Sequence, residues 1–321
     1  VPVRELSLED IREAHARIRG NVHRTPVLTS RRIDLLTGAR LFFKCENLQK
    51  TGAFKARGAL NAVLSLSPGE LASGVATHSS GNHAAALSWA AALAGVTAHV
   101  VMPVTAPRIK VASVERLGGR ITFCEPTLAA REAAAARIVR ETGAVLVHPF
   151  NDPRVMAGQG TAALELLEDV PDLDAVVCPV GGGGLAAGTA VAARGLLPRI
   201  RVLGAEPEGA ADAALSLRAR ARTPVERPES IADGLLALVG DLTFPVILRE
   251  VEAIATVPEA EISAAVRSLL EVMKIVVEPS GAVGYAAVAC GGLPVGGLRV
   301  GIILSGGNMD LERAPWLARA S

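Results

Sequence analysis

AVVCPVGGGGLAAG, residues 175–188, decides how this chain is to be read. Its first six residues carry no charge and include three valines, the pattern of a strand buried on both faces. The Ala-rich run after the glycines reads as a helix. Four consecutive glycines cost more conformational entropy than a simple turn warrants. A strand end, then glycine, then a helix start is also where backbone amides can closely approach an anion. Similar units recur on either side. LFFKCE (41–46), GVATH (74–78), TAHVVM (97–102), RITFC (120–124), AVLVH (144–148), RVLGAE (201–206) and RVGIILS (299–305) read as further strands. Helical patterns separate them, such as GNHAAALSWAAALAG from residue 81 and TLAAREAAAARIVRETG from 127. The expected class is α/β.

Composition narrows the function. With 321 residues, half of them apolar, the chain can bury a large core, and its length suggests two domains. No linker marks a boundary, so the domains are expected to interleave. Lys plus Arg, 33, nearly balances Asp plus Glu, 32, which argues against a nucleic-acid partner and for a small molecule. Cys45, Cys124, Cys178 and Cys290 form no CxxC pair, as expected in a reducing compartment. The charged N-terminal stretch VPVRELSLEDIREAHARIRG reads as an amphipathic helix rather than a secretory signal. No uncharged run is long enough to span a membrane, so the cytoplasm is the expected location. RARARTPVERPES (218–230) reads as a surface loop.

In such folds ligands gather at the loops that follow strand C-termini. Three stand out: SSGNH (79–83), GGGGLAAG (181–188) and SGGN (305–308). Two readings compete for the second. Gly181, Gly183 and Ala186 satisfy G-x-G-x-x-A, with Glu206 at the end of the next strand, which would suit an NAD(P)-dependent oxidoreductase. That reading leaves the other two loops unexplained, and also TGAFKARG (51–58), where Lys55 stands between Phe54 and Ala56. An isolated lysine there would most simply snorkel to water. Enclosed by a ring and small residues, it would instead lose hydration, drop in pKa and become a nucleophile or base.

KCENLQKTGAFKARGALNAV, THSSGNHAAAL, PVGGGGLAAG, IADG, EPSGAVG and LSGGN occur in order along nearly the whole chain. Together they resemble the pyridoxal-phosphate enzymes of the tryptophan synthase β-like fold, and more narrowly the threonine/serine dehydratases and serine racemase. The fold implied is two interleaved open twisted sheets covered by helices. Residues 1–50 plus 146–321 would form the large cofactor-binding domain, and 51–145 the small substrate domain. By the same resemblance Lys55 holds the cofactor aldehyde as a Schiff base, beside Phe54. Asn82 meets the ring hydroxyl, Ser305 the ring nitrogen, and Gly181, Gly182, Gly183, Gly184 and Leu185 the phosphate, while Gly234 of IADG and Glu278 of EPSGAVG complete the cofactor site. Substrate contacts fall to Ser79, Ser80, Asn82, His83 and Arg131, with Ser80 matching the second base of serine racemase. Glu206, Ala210 and Asp212 match that family's divalent site, suited to Mg²⁺ or Ca²⁺.

The implied reaction is dehydration and deamination of a β-hydroxy amino acid. L-Threonine would give 2-oxobutanoate and ammonia, and L-serine pyruvate and ammonia. Phe150 of HPFNDP agrees with threonine dehydratases, and Ala237 stands where the racemase has a substrate-touching serine. Ala84, Ala85 and Leu117 replace residues of the animal racemase's nucleotide site. Serine racemisation and 3-hydroxyaspartate dehydration remain the alternatives. A homodimer is expected from the family.

Overall fold

The computed structural model describes residues 5–310. The first four residues of the expected N-terminal helix lie outside them; within them the helix runs Leu8–Ile18, capped by a reciprocal Ser7–Asp10 pair.

Among the described residues, ten strands build two sheets: β1 (Val27–Leu28), β2 (Arg40–Cys45), β3 (Val75–His78), β4 (Ala98–Pro103), β5 (Arg120–Cys124), β6 (Val145–Leu146), β7 (Ala175–Pro179), β8 (Arg201–Pro207), β9 (Ala253–Val257) and β10 (Arg299–Leu304). One sheet has the order β1-β2-β10-β7-β8-β9, the other β5-β4-β3-β6. All neighbours are parallel except β1, which runs against β2 with Val27 opposite Lys44. The α/β class and the two helix-covered sheets expected from the sequence are the ones found.

The differences lie at the sheet edges. β1 has two residues, too short to stand out in the sequence, and β9, an uncharged AIATV run at the sheet edge, buries only Val257 fully. AVLVH shrinks to Val145–Leu146. In contrast, all residues of β3 and β7 are buried, because helices cover both of their faces.

Strand order in the larger sheet positions the site. From β7 the chain proceeds outward to β8 and β9, then returns so that β10 inserts between β7 and β2. β10 pairs with β2 from Arg299 opposite Arg40 to Leu304 opposite Cys45. Because these strands are parallel, the loops beyond Cys45, Pro179 and Leu304 emerge on one side, at the point where strand order reverses. Among the described residues, no helix is long and apolar enough to cross a membrane.

Candidate active site

Lys55 is delivered by a turn and a clip. Thr51 and Gly52 both take left-handed backbone, with φ of 58° and 74°. Gly52 is required there, since a Cβ would collide with the Asn308 side-chain amide. Residues 52–54 then pair with the loop after β10. Gly307 N–H donates to Gly52 O at 2.9 Å, Phe54 N–H donates to Ser305 O at 3.0 Å, and Ala53 bridges Gly306. The helix Lys55–Leu64 starts immediately afterwards. Lys55 Nζ donates to the Pro149 carbonyl at 2.8 Å and lies 5.0 Å from the Phe54 ring centre. Lost hydration lowers its pKa to about 8, because burial disfavours the charged ammonium.

The glycine loop lies at the end of β7. The helix Gly184–Leu196 begins within it and has no side-chain cap, so its first amides lack intrahelical acceptors. Each glycine also has a packing reason. Gly183 has φ 88°, and a Cβ there would sit 2.7 Å from Thr243 Oγ1. A Cβ on Gly182 would enter the Phe150 ring, and one on Gly181 would lie 3.0 Å from Leu235 Cα, beside Gly234. Gly234 N–H in turn donates to Ser280 Oγ at 2.9 Å. Leu185 is buried in the first turn. The anion-binding capacity therefore resides in the uncapped helix start, and the glycines let that start pack against Phe150 and the IADG turn.

Across from it, Ser79 and Ser80 precede the helix Asn82–Leu93, with Ser79 Oγ accepting from Gly81 N–H at 3.3 Å. Asn82 is fixed from both ends of its amide. Its Nδ2 donates to Glu278 Oε1 at 2.7 Å, and its Oδ1 accepts from Asn308 Nδ2 at 2.9 Å. Burial and the nearby Asp233 charge push Glu278 up to about 8, against the Asn82 hydrogen bond. Ser305, 3% exposed, lies at the end of β10. The structure thus gathers Phe54, Lys55, Asn82, Glu278 and Ser305 along one set of contacts.

The remaining predicted residues lie around this centre or apart from it. His83 is buried and its Nε2 lies 3.2 Å from the Val147 carbonyl. A carbonyl only accepts, so Nε2 carries the proton and Nδ1 is left without a partner. Burial, reinforced by Lys55, lowers its pKa well below the usual histidine value. Arg131, on the helix Leu128–Thr142, has its Nε buried without a hydrogen-bond partner. Glu206 is the penultimate residue of β8, and its two oxygens accept from Ala213 N–H at 3.1 Å and Ala214 N–H at 2.8 Å. Asp212 Oδ2 accepts from Val239 N–H at 2.9 Å, and Ala210 lies in the short turn between the two acids. Burial raises both acids, Glu206 to about 8 with help from Asp212, and Asp212 to about 6. The Pro149 carbonyl and Asn308 do not stand out in the sequence. A backbone acceptor leaves no residue-type signal, and Asn308 shows there only as the last residue of a loop.

A family model described as "Pyridoxal-phosphate dependent enzyme" matches residues 18–306. The chain is 51% identical to the serine racemase of Arabidopsis thaliana, covering 94% of this chain and 92% of that one. It is 50% identical to the beta-hydroxyaspartate dehydratase of Paracoccus denitrificans, covering 96% and 98%. Among solved structures, the T.th. threonine deaminase superposes with a TM-score of 0.90 at 46% identity, covering 95% and 99%.

The environment of Lys55 makes a testable demand. In the cofactor-free protein, modification of Lys55 by an amine reagent, followed residue by residue by mass spectrometry, should show a pH midpoint of about 8. A midpoint near the ordinary lysine value of about 10.4 would mean that the ammonium is hydrated.

Proposed function

The chain belongs to the pyridoxal-phosphate dependent enzymes, and on that premise we propose that it dehydrates β-hydroxy amino acids, with 3-hydroxyaspartate and serine as substrates and racemisation at Cα as a companion reaction. The observation that carries this reading is Lys55: an amine of lowered pKa, held by one carbonyl, between an uncapped helix start and a serine-bearing loop. The residues fit the cofactor. The amides from Gly181 to Leu185 would take its phosphate, Asn82 and Ser305 its ring, and Phe54 and Glu278 its surroundings, with Gly234 supporting the glycine loop. Bound there, pyridoxal phosphate would supply an electrophilic carbon for an amine and a ring that accepts charge from Cα.

The chain's own residues do the rest. Lys55, as a free amine, would take the α-proton. The amide-rich start of the Asn82 helix, with Ser79, Ser80 and His83, would hold the α-carboxylate. Arg131 Nε, a buried donor without an acceptor, suits a substrate carboxylate. When the β-hydroxyl leaves as water, hydrolysis gives a 2-oxo acid and ammonia. When Ser80 returns a proton to Cα first, the product is the enantiomer. The similarity to a serine racemase and to a beta-hydroxyaspartate dehydratase, at 51% and 50%, supports this pair of outcomes over threonine as the main substrate.

We also propose a divalent cation at Glu206, the Ala210 carbonyl and Asp212. Among the described residues, no three or more His, Cys, Asp or Glu gather as ligands, so carbonyl and water oxygens would complete the shell. Two buried carboxylates with raised pKa values suit such a cation, which would offset their mutual repulsion.

Assays of 2-oxo acid release and of enantiomer formation with serine, threonine and 3-hydroxyaspartate test the first reading. Serine and 3-hydroxyaspartate should be turned over faster than threonine, and Ser80→Ala should cut enantiomer formation by about 100-fold or more while elimination falls less. Absence of both products from all three would refute it. For the cation, Mg²⁺ or Ca²⁺ should raise the melting temperature of the wild-type chain but not of Glu206→Gln; an equal response in both would remove the site.

A further inference from the structure

Two residues beyond Lys55, Arg57 enters a charged cluster sealed in the interior. Lys44, Glu46 and Arg57 are 0% exposed and Glu165 is 1% exposed. The Arg57 fork is filled on every side. Its Nε donates to Glu46 Oε2 at 2.7 Å and its Nη2 to Glu46 Oε1 at 2.8 Å. Nη1 and Nη2 donate to the two oxygens of Glu165, each at 2.8 Å, with Thr161 Oγ1 at 3.2 Å and the His23 carbonyl at 3.3 Å as further acceptors. Lys44 Nζ donates to Glu165 Oε2 at 2.7 Å and to the Thr25 carbonyl at 2.8 Å, and Thr25 Oγ1 donates to Glu46 Oε1 at 2.5 Å. His15 Nε2 stands 3.6 Å from Glu165 Oε1. Two cations face two anions.

Burial alone would lower Arg57 and raise Glu165. The carboxylates of Glu46 and Glu165 instead hold Arg57 above its ordinary value, and nearby His15 together with the hydrogen bonds and charge of Arg57 holds Glu165 well below the carboxylate range. Arg57 and Glu165 therefore stay charged. A buried network of this kind is weak evidence for stability, since apolar groups of equal volume often stabilise as well or better. Its rigid, bidentate geometry gives it another use.

The elements it joins indicate that use. Lys44 and Glu46 belong to β2 and the turn after it, beside β10. Glu165 lies on the helix Pro153–Asp169, which packs against the glycine-loop helix so closely that a Cβ on Gly188 would sit 2.6 Å from Gly160 N. The opposite face of the Lys55 helix, with Ala59, Leu60, Ala62 and Val63, packs with Ala86, Leu87 and Ala90 beneath the smaller sheet. The Lys55 helix thus serves two bodies. Besides the cluster, the clip at residues 52–54 and the Gly58 N–H, which donates to Gln159 Oε1 at 3.1 Å, tie its first turn to the larger sheet and the helix Pro153–Asp169.

We propose that Lys44, Glu46, Arg57 and Glu165 are positioning residues that fix Lys55 to the larger sheet and its glycine loop, independently of the smaller sheet. This rests on Lys55 being the cofactor lysine. Two variants separate position from stability. Arg57→Lys keeps the charge and loses the fork. The fourfold variant Lys44→Met, Glu46→Leu, Arg57→Met, Glu165→Met removes every charge while keeping an apolar interior, and guards against a lone buried ion unfolding the chain.

In both, the pH midpoint of Lys55 modification in the cofactor-free chain should rise from about 8 towards that of a hydrated lysine. The visible circular dichroism per bound cofactor should change, and kcat should fall by about 10- to 100-fold with KM little altered, the scale expected of a displacement near 1 Å. Folded variants that keep the wild-type midpoint, dichroism and kcat would reduce the cluster to a structural role and overturn the proposal. If wild type fails to bind pyridoxal phosphate at Lys55, the functional reading fails instead, while the midpoint measurement still decides whether the cluster positions this lysine.

Discussion

The site depends on the parallel insertion of β10 between β2 and β7. The last strand of the described chain pairs with one from near its start, Arg299 opposite Arg40. Its end carries Ser305 to Phe54, Gly307 to Gly52, and Asn308 to Thr51 and Asn82. The loop after β10 supplies partners to Thr51, Gly52 and Phe54 in the turn before Lys55. The centre is therefore built from contacts distant in sequence, and it forms only with the larger sheet.

Parallel pairing also explains why the chemistry concentrates where it does. Strands that run the same way send their C-terminal loops to one side, and a reversal of strand order leaves a crevice there. The glycine loop supplies unpaired amides to that crevice, and the Ser79–Gly81 loop of the smaller sheet faces the same group of residues through Asn82. Lys55 stands between the sheets on a helix that packs on both. Its lowered pKa follows from enclosure, with no neighbouring cation required.

Much of this is legible in the sequence because it follows local rules. The central strands are uncharged runs, the helix starts follow small residues, and Thr51–Gly52 announces a turn. What is not legible depends on distant partners. β1, at two residues, is too short to show as a run. Pro149 acts through its carbonyl, which every residue has. Lys44, Glu46, Arg57 and Glu165 are common surface residue types, and only the fold shows that they meet in the interior. Glu206 fits a ribose-binding acid by spacing, and only the fold shows that its carboxylate accepts from the amides of Ala213 and Ala214 beside buried Asp212. The sequence ties the glycine loop to a ligand, and the structure adds that Phe150, Thr243 and Leu235 demand glycine as well.

The central claim is that Lys55 is the residue that bonds to pyridoxal phosphate. The chain has five lysines, Lys44, Lys50, Lys55, Lys110 and Lys274, so the claim can be resolved unambiguously. The protein should be loaded with the cofactor, reduced with borohydride, digested and mapped by mass spectrometry. The account predicts a single pyridoxyl group on the peptide containing Lys55 and none in Lys55→Ala. A pyridoxyl group on another lysine, or an unmodified Lys55 in protein saturated with cofactor, would contradict it.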